Sequence, residues 1–383
     1  MRNNTLVFTA TYNEAENIEK FLNFVTDVLD PDEINTIIFR IGWNYEFSSH
    51  PELIDEDALS KAEVKKIVKH CNSLGIQVIP QINLLGHQST LIRDQNGIAI
   101  KTKLRPLLAN YPEFDETPEI KLPENYKWPN EDGLYTKSYC PLHPDVHEIV
   151  LAIVDELINV FGSKYFHAGM DEVFYIGNDN CSRCSGKSKA KLFADEVNLV
   201  NSFLKEKNVE LMIWGDRMID GFETGLGMWE ASENNTHGSV DLIDKNVIVT
   251  DWHYRTVTNT HDYFIKKGHW IQVHTNGSAK PEKFWQKAAQ QDWKHCLFTF
   301  SIDGLEDTNH IYRVNSKWKQ IMTGVKYMAN IPKDRKPRLE WKMLIFKYNE
   351  HQVDEARQMA MDLGFDRFTP VVSNRDPLGY GDF

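Results

Sequence analysis

Eight short apolar runs, most of them followed by a stretch with helical spacing, set the strongest limit on what this chain can fold into. They are LVFTAT (6–11), TIIFRIGW (36–43), QVIPQINLL (77–85), YFHAG (165–169), LMIWG (211–215), VIVTDW (247–252), WIQVHT (270–275) and LFTFS (297–301). Most are nearly continuous in apolar residues, as strands covered on both faces should be. Helical patterns fall at 14–28, 60–74, 144–161, 189–206 and 281–291. The clearest puts Val146, Ile149, Val150, Ile153, Val154, Leu157 and Phe161 on one face. Eight βα alternations predict an α/β fold, a closed (β/α)8 TIM barrel. An open doubly wound sheet is the alternative. The first strand lacks the Gly-rich phosphate turn that a nucleotide-binding sheet of that kind would carry.

Two segments exceed a minimal barrel. Residues 93–137, punctuated by Pro106, Pro112, Pro118, Pro123 and Pro129, form a long connection after the third strand. Connections of that length are usually functional or disordered, and this one would sit on the C-terminal rim. Residues 331–383 form a tail with one helical stretch at about 340–362. The expected organisation is therefore a catalytic barrel over 1–330 and a C-terminal helical extension over 331–383, packed on the barrel.

Composition narrows the function classes. With 43 basic and 55 acidic residues the net charge is −12, which argues against nucleic acid or an anionic membrane as partner. No apolar stretch is long enough to span a bilayer. The start, MRNNTLVFTATYNE, lacks the apolar region and cleavage site of a secretory signal. A cytoplasmic location is expected, or a periplasmic or secreted one if a leader has been removed. The 10 tryptophans suit core packing or stacking against flat ligands. No cofactor is expected, and a homo-oligomer is left open.

In a βα barrel the chemistry sits at the C-terminal strand ends. Strand two ends in Trp43, Tyr45 and Glu46; strand three in Gly86 and His87; strand four in His167, Asp171 and Glu172. Strand five ends in Trp214 and Asp216, strand six in Asp251, Trp252, His253 and Tyr254, strand seven in His274 and Asn276, and strand eight in Asp303. Each alone has a bland explanation, such as core packing or a helix N-cap. Together, carboxylates and histidines among indole faces suit carbohydrate.

The stretch KYFHAGMDEVFYIG (164–177) sharpens the reading. Alternation along a strand points His167, Gly169 and Asp171 one way. A turn at the strand end lets Glu172 enter the same cavity. Like-charge repulsion and desolvation then separate the two carboxyl groups into one proton donor and one fixed anion, as acid-catalysed glycoside cleavage requires.

These residues resemble a known family. HAGMDE resembles the H-x-G-G-D-E signature of glycoside hydrolase family 20, the β-N-acetylhexosaminidases. SLGIQVIPQINLLGH resembles that family's third-strand segment ending in Gly-His, MIWGDRM its fifth-strand segment, and VIVTDWHY lies where it has a sixth-strand Trp. The similarity runs over roughly residues 5–305. It implies retaining, substrate-assisted hydrolysis of β-linked GlcNAc or GalNAc, in which the sugar's acetamido oxygen attacks the anomeric carbon. By resemblance Asp171 orients the acetamido group and Glu172 is the general acid/base. His87 and His167 support the site. Trp214, Trp252 and Trp229 wall the acetamido pocket, and Asp216 and Tyr254 contact the sugar; Trp43 is a further candidate from its strand end. The sequence departs from the family at Met170, where the second Gly would stand, and lacks the first-strand Arg; Arg40 is the candidate to replace it, and the reading does not rest on it. The seventh-strand Tyr-x-Asp is not evident, and in place of the Trp-x-Glu after strand eight Glu230 is available from another loop.

Five cysteines are too few and too odd in number for a disulfide framework. Cys181 and Cys184 form a C-x-x-C pair, and Cys140 and His143 in YCPLH could complete a zinc site. Without a second C-x-x-C, a reduced pair or a local disulfide is the expectation. Three alternatives to a hexosaminidase stand at this point: a two-carboxylate glycosidase pairing Glu172 with Asp216 or Glu230, a non-catalytic sugar-binding barrel, and a zinc hydrolase.

Overall fold

The computed structural model describes residues 4–9, 15–29, 34–55, 58–93, 99–123, 135–252, 260–269, 271–278 and 280–372. Six parallel strands form one sheet: β1 (Asn4–Thr9), β2 (Ile34–Arg40), β3 (Gln77–Leu84), then β6 (Tyr165–Gly169), β7 (Glu210–Trp214) and β8 (Ile248–Thr250) in that spatial order. A short antiparallel hairpin of β4 (Ser89–Arg93) and β5 (Ala99–Leu104) lies between β3 and β6 in the chain, inside the long connection. A second parallel sheet runs β9 (Ile271–Thr275), β10 (Cys296–Ser301), β11 (Arg338–Ile345) and β12 (Arg367–Val372). All eight expected strands appear in the expected order, with helices between most of them, as a (β/α)8-like architecture requires.

Local sequence explains the main helices. Ser60 and Glu63 form a reciprocal capping box that starts the helix Lys61–Ser73. Val146–Phe161 buries Val146, Ile149, Val150, Ile153, Val154 and Leu157 and stops at Gly162, whose φ of 60° suits glycine. Each such burial contributes about 1.5–3 kcal/mol relative to exposure. Ser188 caps Lys189–Glu206 by accepting from the Lys191 N–H. One apolar core underlies the six-stranded sheet; another, built around Trp285, Phe298, Phe300 and Trp341, underlies the second sheet.

The tail differs from its expected form. The helix Val353–Asp362 is present, but residues 338–345 are strand rather than helix, and a further strand follows at 367–372. Leu339, Trp341 and Met343 are all fully buried and alternate along β11. A short apolar run of this kind reads equally well as a buried helix or a strand. Here the ladder with β10 decides it: Phe298 pairs with Leu339 and Phe300 with Trp341.

Candidate active site

The strand β6 ends in a run of unusual backbone. Gly169, Met170 and Glu172 have φ of 68°, 63° and 49°, and on the neighbouring β3 end Leu85 and His87 have φ of 61° and 53°. Left-handed non-glycine residues are strained and gather at functional sites. Gly169 is obligatory: a Cβ there would collide with the Asn83 Oδ1 and lie 2.8 Å from the Asn83 Cα, a backbone atom that cannot swing aside. The β3–β6 register slips between Gln81 and Leu84 at this point, which re-aims the side chains beyond it.

This turn brings Asp171 and Glu172 into one place. The Nε2 of His87 lies 3.2 Å from the Asp171 Oδ2 and 3.3 Å from the Glu172 Oε2. Burial opposes a charge on His87, but the Asp171 and Glu172 carboxylates override it and raise its pKa to about 9. Burial likewise opposes the Asp171 anion; His87 and the more remote Arg40 outweigh it and hold its pKa down at about 2. The site therefore carries a fixed anion and a fixed cation at neutral pH. Asp171 Oδ1 is buried with no hydrogen-bond partner among the described residues.

His167 is different in kind. Its Nδ1 accepts from the Gly169 N–H at 3.0 Å, and its Nε2 lies 2.8 Å from Thr250 Oγ1. Thr250 donates its own proton to the Ile213 carbonyl, so the imidazole must donate from Nε2. Burial lowers its pKa to about 3, against the pull of Asp171. His167 is thus a neutral brace, and its ring lies 4.4 Å from that of Trp214.

Asp216 accepts the Glu172 backbone N–H at 2.9 Å and the Arg217 Nε at 2.7 Å on one oxygen, Oδ2. Burial pushes its pKa up to about 6, with Arg217 opposing and Asp171 adding to the rise. Arg217 in turn donates to the carbonyls of Met228 and Ala231, tying Asp216 to the short helix Gly227–Glu230 that carries Trp229 and the buried Glu230. Trp229 lies near-parallel to Tyr135, 6.3 Å away, and meets Phe174 edge-on at 5.0 Å.

Several of the sequence candidates lie elsewhere. Trp43 and Tyr45 are 3% and 0% exposed, and both pack edge-on against Phe47 in the core. Asp303 is buried in an ion pair with Arg313 at 2.6 Å and accepts the Leu344 N–H. Trp252 is half-buried just beyond β8. Tyr254 and His253 lie outside the described residues, as does the side chain of His274.

Three residues join the site without having been singled out. The Tyr135 hydroxyl donates to Glu172 Oε2 at 3.4 Å, the Thr136 hydroxyl to the Glu172 carbonyl at 3.5 Å, and Arg217 lies over the Phe174 ring. Tyr135 and Thr136 come from the end of the long connection after β3. That segment is pinned to the β3 end by the Ser89 hydroxyl on the Tyr135 carbonyl and by the Tyr139 N–H on Leu85. The length of the connection was the only sequence signal for them.

The cysteines Cys140, Cys181 and Cys184 are all free and converge. The fourth group beside them is Glu116, not His143. His143 packs against the Phe114 ring at 4.6 Å and accepts from the Asp145 N–H.

Comparison with known proteins is consistent with this arrangement. Residues 39–324 match the description "Glycosyl hydrolase family 20, catalytic domain". A lacto-N-biosidase from Bifidobacterium bifidum is 26% identical over 214 residues, 53% of this chain and 16% of its own. A β-hexosaminidase from Akkermansia muciniphila is 25% identical over 178 residues, 46% of this chain and 32% of its own. Hexosaminidase D from Bos taurus is 22% identical over 231 residues, 55% of this chain and 58% of its own. The chain thus spans less than two thirds of each of these relatives. The solved structure of a Flavobacterium johnsoniae chitobiase shares the fold, with a TM-score of 0.50 and 18% identity over 94% of this chain and 50% of that one.

Proposed function

Since the chain belongs to glycoside hydrolase family 20, we propose that it is a β-N-acetylhexosaminidase that releases β-linked GlcNAc or GalNAc with retention, by substrate assistance. The carrying observation is the pair of carboxylates gathered on one imidazole nitrogen at a strand end, with one carboxylate oxygen buried and unpartnered among the described residues. In this reading Asp171 Oδ1 accepts the acetamido N–H. That fixes the acetamido oxygen beneath the anomeric carbon and stabilises the positive charge that develops on the amide as its oxygen attacks. The depressed pKa of Asp171 supports this role, because the group must be an anion throughout. Glu172 delivers a proton to the leaving oxygen and then takes one from water. His87 holds the two acids in register, and Asp216 fixes the Glu172 backbone.

Trp214 beside His167, and Trp229 with Tyr135, supply the flat apolar faces on which a sugar ring and an N-acetyl methyl would rest. Trp252 and Tyr254 are proposed as further walls, and Glu230 as a contact reached through the Arg217-braced helix.

The test is hydrolysis of aryl β-GlcNAc and β-GalNAc beside aryl β-glucoside and β-galactoside, for wild type, Asp171→Asn and Glu172→Gln. Turnover confined to the acetamido sugars is expected. Each variant should fall by about 10²–10⁴-fold in kcat/KM. Equal turnover of the plain glucoside would sink substrate assistance and favour a two-carboxylate mechanism.

A further inference from the structure

Beside the proposed active site, three loops meet at a compact group of buried metal-ligating side chains. The Cys140 Sγ lies 3.6 Å from the Cys181 Sγ and 3.3 Å from the Cys184 Sγ. These separations are far beyond the roughly 2.05 Å of a disulfide. They approach the edge of a tetrahedron of sulfurs around zinc, about 3.8 Å for zinc–sulfur bonds of about 2.3 Å. A Glu116 oxygen completes the group, and all four ligand atoms fall within 4.8 Å of one another.

A further feature fits a bound cation. Glu116 Oε1 is held by the Asn178 N–H at 2.9 Å, while Oε2 is buried and makes no hydrogen bond among the described residues. A carboxylate so held turns one oxygen toward the three sulfurs.

We propose that Glu116, Cys140, Cys181 and Cys184 form a structural zinc site with four protein ligands. Soft thiolates select zinc over magnesium or calcium, and a closed set of four protein ligands leaves no position for a reactive water. Binding displaces the thiol protons to solvent as the sulfurs take up the metal. The site clamps three segments that converge on the catalytic pair. Cys140 lies a few residues after Tyr135, which reaches Glu172; Cys181 and Cys184 lie in the loop after β6 that also carries Glu172; and Glu116 fastens the middle of the long connection. The Cys140 N–H bond to the Phe114 carbonyl and the Glu116 N–H bond to the Ser138 carbonyl already lace two of these segments together. Zinc at this point acts by positioning Tyr135 and Phe174, not by taking part in bond cleavage.

The test is elemental analysis of the purified full chain, with cobalt exchange as a second readout. About one zinc per chain is expected. Cobalt-exchanged protein should show the intense visible bands of a tetrahedral site and a thiolate charge-transfer band in the near ultraviolet. Cys184→Ser should lose the metal, while Cys71→Ala, which alters a cysteine far along the chain, should keep it. Glu116→Gln leaves every thiol in place, so it tests the site even if Cys184→Ser does not fold; at least tenfold easier removal of zinc by a competing chelator is expected. Metal-free protein that takes up no cobalt overturns the proposal. So does a disulfide between any two of the three cysteines, or retention in Glu116→Gln indistinguishable from wild type.

Discussion

The charge on His87 should make folding stability fall across mildly alkaline pH. Its pKa is about 9 in the folded protein against 6.5 for an unperturbed imidazole. Between those values the native state keeps a proton that the unfolded chain has released, so stability is full below pH 6.5 and is lost as pH rises through about 9. At about 1.36 kcal/mol per pH unit, the window amounts to roughly 3 kcal/mol. Little of this is screened, because the His87 side chain is only 11% exposed. Replacement by asparagine removes the cation and tolerates the residue's φ of 53°. Urea unfolding of wild type and His87→Asn from pH 6.0 to 9.5 measures the effect, and the difference between the two proteins cancels other groups that titrate in this range. Wild type should be the more stable at pH 6, and its advantage should shrink by roughly 3 kcal/mol by pH 9.5. A gap that stays constant across the range would show that His87 is not the cation between the two acids.

Three other substitutions probe the surrounding braces. Thr250→Val removes the acceptor of the buried His167 Nε2–H and should lower unfolding free energy by about 1–3 kcal/mol; an unchanged melting curve would contradict the assigned tautomer. Arg217→Met leaves Asp216 as a buried acid without its cation, and a loss of about 3–5 kcal/mol in denaturant titration is expected. Gly169→Ala meets the Asn83 amide and a forbidding φ together, so soluble yield and aryl-glycoside turnover should both collapse, whereas a tolerated alanine would disprove the close approach of β3 to β6.

Much of this architecture was legible because buried parallel strands write themselves as short apolar runs, and the eight runs fall where eight of the strands lie. The catalytic candidates were legible for a related reason: strand ends share a rim, so His87, Asp171, Glu172, Trp214 and Asp216 need no long-range reasoning to meet. What escaped depended on the path of the chain between strands. Tyr135 reaches Glu172 only because the long connection folds back along Leu85 and Ser89. Glu116 joins the cysteines through the same connection, and no spacing in the sequence ties it to C-x-x-C. Position in a strand also misleads when the side chain turns inward: Trp43 goes to the core, and Asp303 to Arg313. In β11, apolar residues at mixed spacing suited a helix until the partner strand was known.

The second sheet has a practical bearing on where this chain can be cut. Recognisable family sequence stops at 324, yet β10 receives its next neighbour only at 338 and the sheet is finished only at 372. Trimming to the recognised stretch would strip β10 of a whole row of backbone partners and leave the Asp303 carboxylate without Leu344. An expression fragment bounded by homology would therefore offer a raw, aggregation-prone strand edge to its neighbours in solution.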